Sequence, residues 1–191
     1  AVILELGHFL GAKMGGYKIS TLTCLGIQFK RGKDDKFKLT VGGFDGITGE
    51  TKVVPLNAEK SNPRHMIYMP LVLFLVEVAI CVVLMSVSKS AMNAGNGNMI
   101  TPYLIALVDL TVGCLIFLYN TFPAALDSKN DGQYIAIFNN ETNVKAFNEI
   151  LIANDKMARG EDVGETPIYD SVTDFTVKMN DVALYKALQE K

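Results

Sequence analysis

Leu4-Glu5-Leu6-Gly7-His8-Phe9-Leu10-Gly11-Ala12-Lys13-Met14-Gly15-Gly16-Tyr17-Lys18-Ile19 is the stretch from which the rest of the chain is read. Residues 1–12 are apolar enough to be helical, and Gly15-Gly16 ends the helix, because glycine is costly in a helix interior. Within it, Leu4-Glu5-Leu6-Gly7-His8 fits the zinc-binding pattern H-E-x-x-H at every fixed position but one. The pattern has a physical reason. Two imidazoles four residues apart share one helix face and reach one metal, while the glutamate between them takes a proton from a water that the metal activates. Leu4 stands where the first histidine belongs, and a leucine cannot ligate a metal.

Working outward, the 191 residues allow one modest domain. Hydrophobic residues make up 49%, and the mean hydropathy of +0.23 is high for a soluble domain. A net charge of −2 argues against a nucleic-acid partner. Cys24, Cys81 and Cys114 have no C-x-x-C spacing, so neither a disulfide framework nor a cysteine zinc site is expected. The sequence opens in mid-pattern at Ala1. Residues 1–12 read as the inner half of a longer apolar helix, since a membrane span needs about 20 residues. A processed signal peptide is the rival explanation.

Residues 66–87 carry one charge, Glu77, and residues 101–123 carry one, Asp109. Runs of this length, about 33 Å as helix, cross a bilayer; the competing reading is a buried helical hairpin of a soluble protein. Most Lys and Arg residues fall in 12–65 and few in 88–100. The positive-inside rule therefore puts 12–65 and the tail in the cytoplasm, with His8 and Asn120 at the same membrane face. Glu77 and Asp109 are costly in a bilayer, and either pair with each other, line a water path or face the protein interior as neutral acids. A proton-coupled transporter uses such carboxylates too, but no inverted repeat is visible.

Between the first helix and the second run, residues 17–59 read as β structure. Residues 21–29 form one strand, residues 30–35 a polar turn and residues 36–41 a second strand, with Phe37, Leu39 and Val41 on one face. The glycines from Gly42 to Gly49 mark turns, and residues 51–55 a third strand. Beyond residue 134 the chain is soluble in character. A helical period runs through residues 143–159, Gly160 to Gly164 breaks it, and residues 182–188 support a shorter helix.

Two later groups complete the picture: Asn120-Thr121-Phe122-Pro123 and Asn130-Asp131-Gly132. Together with Leu4 to Gly16, they resemble the motifs of the site-2 protease family, the intramembrane zinc metalloproteases, in which an N-x-x-P element precedes an aspartate-glycine pair. The resemblance covers the two catalytic segments and the order of elements between them. It implies an α-helical integral membrane protein with a core of about three membrane helices, a small β-hairpin or sheet insertion and a cytoplasmic helical tail. Residues 1–133 are the membrane-embedded domain and 134–191 the tail.

The resemblance further implies His8 and Asp131 as zinc ligands, Glu5 as general base and Asn120 as a residue that orients the substrate peptide. Asp127 competes with Asp131, but Ser128 follows it where glycine is expected. His65 is a remoter substitute for the missing ligand. The implied function is hydrolysis of membrane-embedded or membrane-proximal peptide segments, in a multi-pass protein of a bacterial cell membrane. In that family an edge strand of the insertion can receive an extended substrate segment by β-addition; an ordinary hairpin loop is the other reading. The implied cofactor is zinc, weakly held or absent because of Leu4. The alternative is a catalytically inactive protein that binds membrane helices or a partner.

Overall fold

The computed structural model describes residues 2–32, 36–41, 49–123 and 130–189. Helix α1 (Val2–Met14) leads into strands β1 (Tyr17–Cys24), β2 (Ile27–Arg31), β3 (Phe37–Val41) and β4 (Gly49–Pro55). Two long helices follow, α2 (Arg64–Asn93) and α3 (Ile100–Thr121), joined through a short 3-10 turn at Gly97–Met99. Helices α4 (Asp131–Ile137), α5 (Glu141–Arg159) and α6 (Asp174–Gln189) complete the chain.

The sheet is antiparallel throughout, in the order β3-β2-β1-β4. The single strand expected over residues 21–29 is in fact two. Leu25 and Gly26 both adopt positive φ, 49° and 79°, the backbone of a two-residue hairpin turn whose twist matches the flanking strands. Glycine accepts this without cost, whereas Leu25 breaks the usual residue preference, so alternation alone ran through the turn. Gly49 and Glu50, expected in a turn, open β4. A bulge in β1 between Ile19 and Thr21 shifts the pairing with β4, and the Ile19 carbonyl there accepts from Arg31 Nε at 2.9 Å. The glycines and Asp45 of residues 42–46 lie outside the described residues, as do Lys33 to Asp35.

The sheet packs on α1 through Ala12, Tyr17, Ile19 and Val53, a buried cluster flanked by Phe9, Leu22, Met66 and Leu151. Helix α1 crosses α2 at very short range. A Cβ on Gly7 would lie 2.4 Å from the Pro70 Cα, and one on Gly11 would lie 2.2 Å from the His65 carbonyl oxygen. Neither position has room for any other residue.

Helix α5 begins at an Asn140 cap and ends at Gly160 in the left-handed conformation, a common capped exit. Helix α6 starts well before the expected residue 182 because Thr173 and Thr176 exchange hydrogen bonds around its first turn. The second core lies among Ile67, Phe138, Val144, Ala146, Phe175 and Met179. Residues 134–189 are therefore packed onto the preceding elements. The fully buried Asn148 accepts from the Tyr17 hydroxyl at 2.6 Å and donates to the carbonyls of Ala58 and Ser61 at 2.9 and 2.8 Å. Arg64 adds a bond to the Phe138 carbonyl and an ion pair to Glu141.

Helices α2 and α3 differ from the rest. Both are long and apolar enough to cross a membrane, and their most apolar windows are only 11% and 6% buried. Phe74 and Phe117 stack between them, with ring centroids 4.2 Å apart.

Candidate metal centre

His8 lies on α1 one turn beyond Glu5, and Asp131 is the first residue of α4. The fold brings them together: His8 Nε2 lies 3.5 Å from Asp131 Oδ2, with both side chains largely buried. The opposite ring nitrogen, Nδ1, is 2.9 Å from the carbonyl oxygen of Met66. A carbonyl only accepts, so Nδ1 carries the hydrogen and the Nε2 lone pair faces Asp131. Two lone pairs do not attract. The contact requires a proton between them, on the ring nitrogen or on the carboxyl, or a metal ion. Two ligand atoms on a tetrahedral zinc, with bonds of about 2.0–2.2 Å, sit about 3.3–3.6 Å apart, so the pair has the spacing of two such ligands.

Several local features put Asp131 there. Asn130 caps α4: its side-chain oxygen accepts from the Gln133 backbone N–H, and its own backbone N–H donates in return to Gln133 Oε1. Its amide also donates to the carbonyls of Tyr119 and Phe122, at 3.0 and 2.6 Å, where α3 ends. Gly132 lets the two ends meet, since a Cβ there would lie 1.9 Å from the Thr121 carbonyl oxygen. Burial pushes the Asp131 carboxyl above its ordinary value, and neighbouring His8 pulls it back.

Glu5 is buried against β4. Thr51 Oγ1 donates to Glu5 Oε2 at 2.7 Å, and a Cβ on Gly49 would lie 2.4 Å from Glu5 Cγ. Thr51 and Gly49, paired across from Leu22 and Cys24, thus form a cradle for the carboxylate. Nothing in the sequence pattern marked Thr51. The alternation of Gly49 and Thr51 along one strand face was the available signal.

Leu4 lines a cavity of about 30 Å³ together with Asp131, Ile67, Pro70, Phe117 and Thr121, room for one water-sized occupant. An adjoining cavity of about 60 Å³ shares Leu4, Pro70 and Phe117 and reaches Glu77 and Asp109. Cys81 Sγ donates to Asp109 Oδ2 at 3.7 Å, and all three cysteines are free thiols.

Asn120, expected at the site, and His65, a remote substitute only, bond elsewhere. Asn120 donates to the Ile116 carbonyl of its own helix at 2.9 Å. His65 pairs through Nδ1 with the Asn62 carbonyl at 3.3 Å. Asp127 lies outside the described residues. Among the described residues, no group of three or more His, Cys, Asp or Glu side chains is placed to hold a metal. Imidazole and carboxylate are donor types that zinc accepts, and the H-E-x-x-H pattern would put a further ligand where this chain has Leu4. No family model, no curated protein and no solved structure matches the chain.

Proposed function

We propose that the chain is a site-2-type intramembrane zinc metalloprotease scaffold, directed at membrane-embedded or membrane-proximal peptide segments, whose metal site is short of one ligand. The observation that carries this reading is the 3.5 Å approach of His8 Nε2 to Asp131 Oδ2, two residues singled out from separate motifs. The membrane setting rests on α2 and α3, whose apolar surface is left uncovered by the protein. Water would penalise that surface at roughly 25 cal/mol per Å², whereas lipid would not. On this reading the protein is multi-pass in a bacterial cell membrane, with residues 12–65 and 134–191 on the cytoplasmic side.

When bound, zinc would supply a Lewis acid that activates water for attack on a peptide carbonyl. His8 and Asp131 would hold it. Glu5, fixed by Thr51, would take the proton. Asn120 would orient the substrate once it released the Ile116 carbonyl.

Leu4 favours a second reading, a catalytically inactive protein that binds membrane helices or a partner. Zinc per chain, by elemental analysis of detergent-purified protein with and without Leu4→His, separates the two. Stoichiometric zinc only in Leu4→His supports a protease scaffold that has lost its metal and hence the binding role. Stoichiometric zinc in both supports an active protease, to be followed by cleavage of a membrane peptide. Zinc in neither overturns the assignment of His8 and Asp131.

A further inference from the structure

The carbonyl that holds His8 is available for a reason written elsewhere in the chain. In a helix the oxygen of residue 66 accepts from the N–H of residue 70. Residue 70 is a proline inside α2, and proline has no N–H. The Met66 oxygen is thereby left without its regular helical donor, and His8 Nδ1 lies 2.9 Å from it. The two helices are held in register at this place by Gly7, which packs directly on the Pro70 backbone and ring.

From this we infer that Pro70 is a positioning residue for the metal site: by withholding an N–H from Met66 it reserves that carbonyl for His8, which selects the Nδ1–H tautomer and presents the Nε2 lone pair to Asp131. The inference rests on the proposed metal-site reading for its purpose, but its geometric content concerns His8, Met66 and Pro70 alone. Ligand histidines generally owe their orientation to such a bond from the second nitrogen, and its loss costs metal affinity about 10–100-fold. The site therefore depends on a residue that touches neither metal nor substrate. Pro70 also lines both cavities beside Leu4, so its ring shape has to be separated from its missing N–H.

The test uses the full chain in detergent micelles. The chain has two histidines, so ¹⁵N imidazole spectra, assigned with a His65→Gln control, report the His8 tautomer directly at alkaline pH. With the Met66 carbonyl as acceptor, the parent should carry more of its ring hydrogen on Nδ1 than Pro70→Ala does. Pro70→Ala supplies an N–H to Met66 and should shift His8 toward the Nε2–H form; in the Leu4→His background it should also weaken zinc binding about 10–100-fold. Placing lactate at position 70, with the same methyl group as alanine but an ester oxygen in place of the N–H, should restore the Nδ1–H form and the affinity. An unchanged tautomer in Pro70→Ala overturns the inference. So does lactate behaving as alanine does, which would assign the effect to the proline ring. If Leu4→His binds no zinc, the metal-site reading fails while the tautomer shift still upholds the link from Pro70 to His8.

Discussion

His8 Nε2 and Asp131 Oδ2 face each other at 3.5 Å, while the far side of the imidazole is anchored to the Met66 carbonyl. The anchor makes the contact electrostatically unstable for a neutral imidazole beside a carboxylate. It is stabilised by a proton or a metal ion and by little else available in a buried place. In the Leu4→His protein, His8→Ala and Asp131→Asn should therefore each weaken zinc binding by more than about 100-fold, beyond the range of outer-shell changes. Competition against a chromophoric chelator measures this. Undiminished affinity when Asp131→Asn is added to Leu4→His would move the ligand to another acid, Asp127 first.

Gly132 is required by space. A methyl group 1.9 Å from the Thr121 oxygen forces α4 away from the end of α3. Gly132→Ala should cost about 1–3 kcal/mol of stability, as overpacking does, and carry Asp131 away from His8. A lowered thermal midpoint together with lost zinc in the Leu4→His background is the expected pair of results. Unchanged zinc binding would show that Asp131 is placed by something other than this close approach.

Thr51 holds one oxygen of the Glu5 carboxylate. In a Leu4→His protein that cleaves peptide, Thr51→Val should lower turnover about 10–100-fold with zinc content unchanged, and Thr51→Ser should retain most of it. Gly49→Ala should act more severely, because its methyl group would occupy the space of Glu5 Cγ. Equal turnover in the valine and serine variants would exclude a role for the hydroxyl.

Tyr17 links the sheet to α5, and burial raises its phenol above the ordinary value of 10.0 despite the bond to Asn148. Tyr169, bonded to Glu149, is raised as well, by burial first and then by the carboxylate. Above pH 10 the unfolded chain releases these protons before the folded one does. The folded state then holds more protons, so stability falls as pH rises. Each group contributes up to about 1.4 kcal/mol per pH unit. Unfolding measured from pH 9 to 11 should show this decline, with a shallower slope in Tyr17→Phe. That variant should also be less stable at neutral pH, because it leaves the Asn148 oxygen without its donor, at about 1–3 kcal/mol. An unchanged slope would show that Tyr17 ionises without strain.

The two long helices were legible because more than a full span of apolar residues is a strong local signal, and α5 because Val144, Phe147, Ile150 and Leu151 keep a helical period. The strand break at Leu25 was not, since a leucine at positive φ runs against its own preference and is held by the pairing of β1 with β2. Helix α4 was missed because its seven residues are too short for a period to register. Its start is set instead by Asn130, which ties two helix ends at once. At the site, Glu5, His8 and Asp131 were legible as a motif resemblance. Thr51, Asn130 and Pro70 were not, because each acts through one hydrogen bond, made or withheld, at a place that sequence spacing does not reveal.

The sequence by itself determined the type of the long elements, the apolar character of α2 and α3, and the chemistry on offer: one imidazole, two carboxylates and a leucine where the H-E-x-x-H pattern has a second imidazole. Those are properties of residues and their near neighbours. Only the tertiary structure decided that His8 meets Asp131, that β4 cradles Glu5, that the last helices pack on the sheet through Asn148, and that Met66 is left to receive His8. Such contacts join segments distant in sequence. They form only when close helix crossings, sheet register and buried hydrogen bonds are satisfied together, which no local pattern encodes.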